Sequence, residues 1–90
     1  MYIALGKVKA SKENGKYPEG EKHAFLAYAK AASHDEAEQI IVKELAVAGW
    51  AFPEISKIGV IDPDQNKEDE SVRNANEVGF SAVIYSGVEQ

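Results

Sequence analysis

Apolar residues recur at helical spacing most clearly between Ala37 and Ala48, at Ala37, Ile41, Leu45 and Ala48. Ile40 and Val42 flank that stripe, and Glu36, Gln39 and Lys43 share the opposite side. The ends of this helix are written as plainly as its middle. Ser33 is placed to cap the amide of Glu36, and Asp35, Glu36 and Glu38 put negative charge in the first turns, where the helix dipole favours it. Gly49 suits the left-handed residue that ends a helix, Trp50 folds back onto Leu45, and Pro53 blocks a restart.

Elsewhere the pattern is that of strands. Residues 2–10 are rich in β-formers, but Ile3 and Leu5 fall out of phase with Val8 and Ala10, and a bulge at Gly6 would bring all four onto one face. Asn14-Gly15 and Pro18-Glu19-Gly20 mark residues 11–21 as a long, solvated hairpin loop. A second strand is expected from about His23 to Ala32, apolar on both faces and therefore central, and a third over Ile55, Ile58, Val60 and Ile61. A strand, a helix and a strand on short links imply a parallel pair with a right-handed crossover.

Residues 62–70 contain no apolar side chain except Pro63 and form an acidic loop. A short second helix follows, with Ser71 as its cap, Val72, Ala75 and Val78 inward and Gly79 as its stop; residues 80–86 form a fourth strand, and 87–90 fray. The expected fold is α+β with an α/β-like character: one domain over residues 1–90, a four-stranded mixed sheet in the order β-β-α-β-short α-β, and one long helix on one face. One helix covers one face, so the other face needs the short helix, the hairpin loop with Tyr17, or a second copy in a homodimer.

Composition narrows the chemistry. With no cysteine among 90 residues, a disulfide framework, a thiol nucleophile and a Cys-rich zinc site are all excluded. The apolar run at Met1–Lys7 is too short for a signal peptide, and nothing approaches the roughly 20 apolar residues of a membrane span, so a soluble, cytoplasmic protein is expected. The net charge of −5 is unevenly placed. Residues 1–30 hold six lysines against three acids, whereas residues 62–90 hold seven acids against one lysine and one arginine.

Catalytic and metal-binding patterns are weak. Asp62, Asp64 and Asn66 match positions 1, 3 and 5 of a calcium loop, but Lys67 stands where the turn needs glycine and Arg73 where a bidentate carboxylate belongs. His34 and Asp35 are adjacent on a helix, about 100° apart, and cannot act as a dyad. The seven glycines are isolated and build no phosphate loop. No enzyme activity, metal or cofactor is therefore expected.

Two surfaces remain. Asp62, Asp64, Glu68, Asp69 and Glu70 form an acidic patch suited to a protein partner with a basic surface, as in small inhibitors, immunity proteins or nucleic-acid mimics, although solvation alone also accounts for such a run. Alternatively Lys7, Lys9, Lys12, Lys16 and Lys22, with Tyr17 as a stacking ring, would hold RNA or single-stranded DNA; a single arginine and the acidic total weigh against this. A homodimeric small-ligand-binding domain or enzyme is a third alternative.

Overall fold

The computed structural model describes residues 1–89. Its elements are β1 (Tyr2–Ala10), β2 (Lys22–Ala29), α1 (His34–Val47), β3 (Trp50–Val60), α2 (Glu70–Val78) and β4 (Phe80–Glu89). The result is an α+β domain with two helices and one four-stranded sheet, ordered β3-β1-β2-β4 and antiparallel at every pairing. Among the described residues the expected parallel pair does not form. β2 and β3 do run the same way, but β1 lies between them, so α1 crosses over β1 and the strands it joins never touch.

α1 covers the first sheet face. The Glu36 amide donates to Ser33 Oγ at 3.2 Å, and at the other end Gly49 sits at φ 91° with its amide donating to the Ala46 carbonyl. The buried stripe is Ala37, Ile41 and Leu45, while Ala48 and Val42 are exposed. They pack on Ala4, Val8, Phe25, Ala27 and Ala29, with Trp50 from the start of β3 in the same cluster. Small side chains at the sheet centre let the helix axis come close.

β1 alternates against β2 without a break, which corrects the bulge expected at Gly6. Ala4, Gly6, Val8 and Ala10 face α1, and Ile3 and Leu5 face the other way. The irregularities of β1 lie on the β3 side, between Leu5 and Gly6 and between Lys7 and Lys9. Gly6 is needed for a different reason: a Cβ there would lie 2.0 Å from the Glu54 carbonyl oxygen and 2.8 Å from the Phe25 ring.

α2 covers part of the second face, laying Val72 and Ala75 on Tyr28 with Met1, Ile3, Leu26 and Ile61 around them. Its cap is Asp69 rather than Ser71, the Ser71 amide donating to Asp69 Oδ1 at 2.9 Å. Asp69 wins because its carboxylate also meets the positive end of the helix dipole. The Ser81 hydroxyl donates to the Ser71 carbonyl at 2.6 Å and ties α2 to β4.

Three boundaries differ from expectation. β2 stops at Ala29, and β3 begins at Trp50 rather than Ile55, tolerating Pro53 because it is an edge strand. β4 continues through Gly87 to Glu89, held by the pairings of Val88 with His23 and Glu89 with Lys22, so residues 87–89 are not a frayed tail; Gln90 lies outside the described residues.

Loop 11–21 is also less solvated than its turn residues suggest. Asn14 Nδ2 donates to the Gly49 carbonyl at 2.7 Å, the Ser11 amide donates to the same oxygen, and Tyr17 packs into the first-face core. Tyr17 therefore does not cover the second face.

Candidate functional site

The acidic segment is built by its own hydrogen bonds. Asp62 Oδ1 accepts from the Asp64 amide at 2.9 Å, Asn66 Nδ2 donates to the Asp62 carbonyl at 2.8 Å, and Arg73 Nη1 donates to the carbonyls of Lys67 and Glu68. Of the five acids expected to form a contact patch, Asp62 and Asp69 have carboxylates committed to these turns and to the α2 cap. Asp64, Glu68 and Glu70 are exposed with no such bond among the described residues. α2 extends the patch. With Val72 and Ala75 turned inward, the helical repeat carries Glu70, Arg73, Asn74 and Glu77 outward. Spacing of 3, 4 and 7 in the sequence holds that signal, once the helix start is moved back to Glu70.

The lysines expected to bind nucleic acid do not form one group. Lys7, Lys9 and Lys22 lie on the second sheet face, where strand alternation also places Lys57 of β3, opposite Leu5. Lys12 and Lys16 stay on the hairpin loop, and Lys16 lies 5.4 Å above the Tyr17 ring. Tyr17 is not free for stacking, because its ring is 4.3 Å from His23 and 5.7 Å from Trp50.

His23 is a feature that sequence reasoning missed, although its phase with Phe25, Ala27 and Ala29 marks an inward position. It is fully buried, with Nδ1 2.8 Å from the Tyr85 carbonyl oxygen and Nε2 2.7 Å from Glu21 Oε1. A carbonyl only accepts, so Nδ1 carries a proton, and Nε2 shares another with the Glu21 carboxyl. The ring joins loop, β2 and β4, and no solvent-borne molecule reaches it. It is a structural pin.

His34, Asp35 and Glu38 gather at the start of α1, with their ligand-type atoms within 4.8 Å of one another. His34 Nδ1 is 3.9 Å from a carboxylate oxygen of each neighbour, too far for a hydrogen bond. The helix dipole opposes a cation there.

α2 leaves half of the second sheet face bare. Leu5, Val83 and Tyr85 are 42, 39 and 48 % exposed in its middle, and half-buried Leu26 stands between Leu5 and Val83 in the same row. Toward the far end come Lys7, Lys9 and Lys22, with Lys57 at the side. Lys7 pairs with Glu89 at 3.9 Å and Lys22 with Glu54 at 4.0 Å, whereas Lys9 and Lys57 have no ion-pair partner among the described residues. Tyr28 lies in the covered half, buried beneath Val72 and Ala75. Burial raises its hydroxyl pKa above the usual tyrosine value, and the negative charge of Asp69 acts in the same direction.

No family model, characterised protein or solved structure matches this chain. Function is therefore argued from the surfaces alone. Among the described residues, no helix is long and apolar enough to cross a membrane.

Proposed function

We propose that this chain is a small non-enzymatic interaction module that presents its acidic segment, residues 62–78, to a basic surface. The observation that carries the reading is the internal bonding of that segment. Asp62, Asn66, Asp69 and Arg73 hold the backbone in one shape, and Asp64, Glu68, Glu70 and Glu77 point their charge outward from it. Preorganised charge loses little conformational entropy on binding, and it speeds encounter with an oppositely charged partner. A merely solvated run needs no such stitching.

The test is capture at low salt with immobilised protein, followed by a salt gradient. Wild-type protein is expected to retain partners that elute as salt rises, and the triple reversal of Asp64, Glu68 and Glu70 to lysine to lose them. Unchanged capture by the reversed protein sinks the reading. Asp69 is left intact because its cap bond supports α2.

A further inference from the structure

We infer that the outer edge of β4 is a strand-pairing surface for a second copy of this chain, so that two sheets join through antiparallel β4–β4 pairing about Ala82. This surface is separate from the acidic segment and does not depend on it.

β3 and β4 are the two edge strands of the sheet, and their open sides are finished differently. An edge presents a row of backbone N–H and C=O groups to any passing strand, and natural folds blunt it with proline, charge or bulges. β3 carries all three: Pro53, the charges of Glu54 and Lys57, and two register shifts against β1, with Phe52 held at φ 52° beside one of them. The first half of β4 carries none. Phe80 to Ile84 pair with Ala29 to Phe25 without a shift, and no proline or charge occurs from Phe80 to Val88.

One bond shows which groups of β4 face outward. The Lys30 amide donates to the Gly79 carbonyl at 2.9 Å, one step before β4 and in the same register, so this is a hydrogen-bonded position of the ladder. Such positions alternate in an antiparallel pair. Ser81 and Val83 therefore turn their N–H and C=O toward β2, and Phe80, Ala82 and Ile84 turn theirs to the open side, where no strand lies among the described residues. The helices leave this edge free as well. Ala82 is exposed although its register partner Ala27 is buried in the core under α1, and Val83, on the opposite face, is also exposed.

That row selects its occupant. Donors and acceptors repeating every second residue are met only by another extended chain. With a two-fold axis at Ala82, a second β4 sets residue 82 against 82, 80 against 84 and 84 against 80, and each of these positions faces outward on both strands. Three such pairs exchange six backbone hydrogen bonds in one isologous contact. Side chains agree with the register. Phe80 lies opposite the second copy's Ile84 at both ends, a favourable aromatic and β-branched pair, and small Ala82 meets itself at the axis. Charge agrees too. Each copy carries −5, and the two meet within Val78 to Val88, the longest uncharged run in the sequence. A strand pair of this length buries less than the roughly 800 Å² per partner of a standard interface, so the dimer forms only at high concentration.

The experiment measures mass by sedimentation velocity from about 10 to about 500 µM for wild type, Ala82→Pro, Ala82→Lys and Ala82→Glu, with circular dichroism to check that each is folded. Proline at position 82 removes the outward N–H and leaves the ladder with β2 intact, as edge strands tolerate. Wild type is expected to pass from monomer to dimer as concentration rises, and Ala82→Pro to raise the dissociation constant roughly tenfold or more. The Lys and Glu variants are each expected to be monomers, because each sets a charge against its own copy at the axis; mixed one to one, they are expected to form a dimer. Added salt is expected to strengthen the wild-type dimer by screening the like net charges, the reverse of a contact made through the acidic segment. A wild-type monomer at every concentration overturns the inference, as does a dimer that Ala82→Pro leaves intact or that salt dissolves. A mixture of the Lys and Glu variants that stays monomeric also overturns it, and this arm decides by itself if the proline variant does not fold.

Discussion

The two faces of this sheet are made by the same four strands and are finished differently. On the first, α1 lays Ala37, Ile41 and Leu45 over a floor of small residues, and loop 11–21 closes the end with Tyr17, His23 and Trp50. On the second, α2 contributes only Val72 and Ala75 and stops short of the lysine rows. The difference lies in helix length: 14 residues reach across the sheet and 9 do not. Stability is therefore concentrated on the first face, and part of the second stays exposed.

The strongest way to break this contrast is at Gly6, where the first face and the β3 edge meet. Gly6→Ala drives a Cβ into the Glu54 carbonyl, a backbone atom that cannot swing aside, and is expected to cost about 3 kcal/mol or more, enough to leave much of the protein unfolded. Urea denaturation measures it. Next comes a direct comparison of the two helices. Ile41→Ala, in the core beneath α1, is expected to cost about 3–4 kcal/mol. Val72→Ala, beneath α2, removes less buried apolar volume from a smaller cluster and is expected to cost about 1.5–2 kcal/mol. Equal values would mean that the second face is as well packed as the first.

Asn14→Ala removes the side chain that bridges the hairpin to the end of α1, with an expected loss of about 1–2 kcal/mol. Replacing the glycine on the other side of that contact has its own cause. Gly49→Ala meets both a left-handed backbone and the Asn14 Cα at 2.8 Å, and is expected to cost at least as much.

A smaller effect is set by pH. Folding raises the Tyr28 pKa above its ordinary 10.0, so the stability that this group contributes is complete below pH 10 and is lost as pH rises through the higher folded value. Denaturation curves above pH 10 should therefore fall less steeply for Tyr28→Phe than for wild type; an identical slope rules out that linkage. Smallest of all is the expected effect of Lys9→Glu with Lys57→Glu on monomer stability, about 0.5 kcal/mol or less, because both side chains are exposed. A larger loss would mean that these lysines hold the monomer together.

Much of the local structure was legible from short-range signals. Ser33, the Ala37–Ile41–Leu45 stripe and Gly49 each act through atoms within a turn of one another, so their meaning survives without knowledge of the rest of the chain. Where two local signals competed, the wrong one was easily chosen. Ser71 and Asp69 both have oxygens suited to a cap, and the geometry of the acidic loop selected Asp69. Of the candidate site residues, the acids were found as a run because they are neighbours in sequence. Lys57 and Tyr85 were not, because they join Lys7, Lys9 and Lys22 only across strand pairings.

By itself, then, the sequence determined what depends on periodicity, capping and composition: α1 and its ends, the acidic stretch, the lack of cysteine chemistry and the need for something on the second face. Tertiary structure alone decided that β1 separates β2 from β3, that His23 is pinned between Glu21 and Tyr85, and that α2 covers half a face. Strand order, buried polar pairing and the fit of a helix on a sheet all depend on contacts between residues far apart in the chain. No local propensity encodes those contacts, because their free energy exists only once the whole fold has closed.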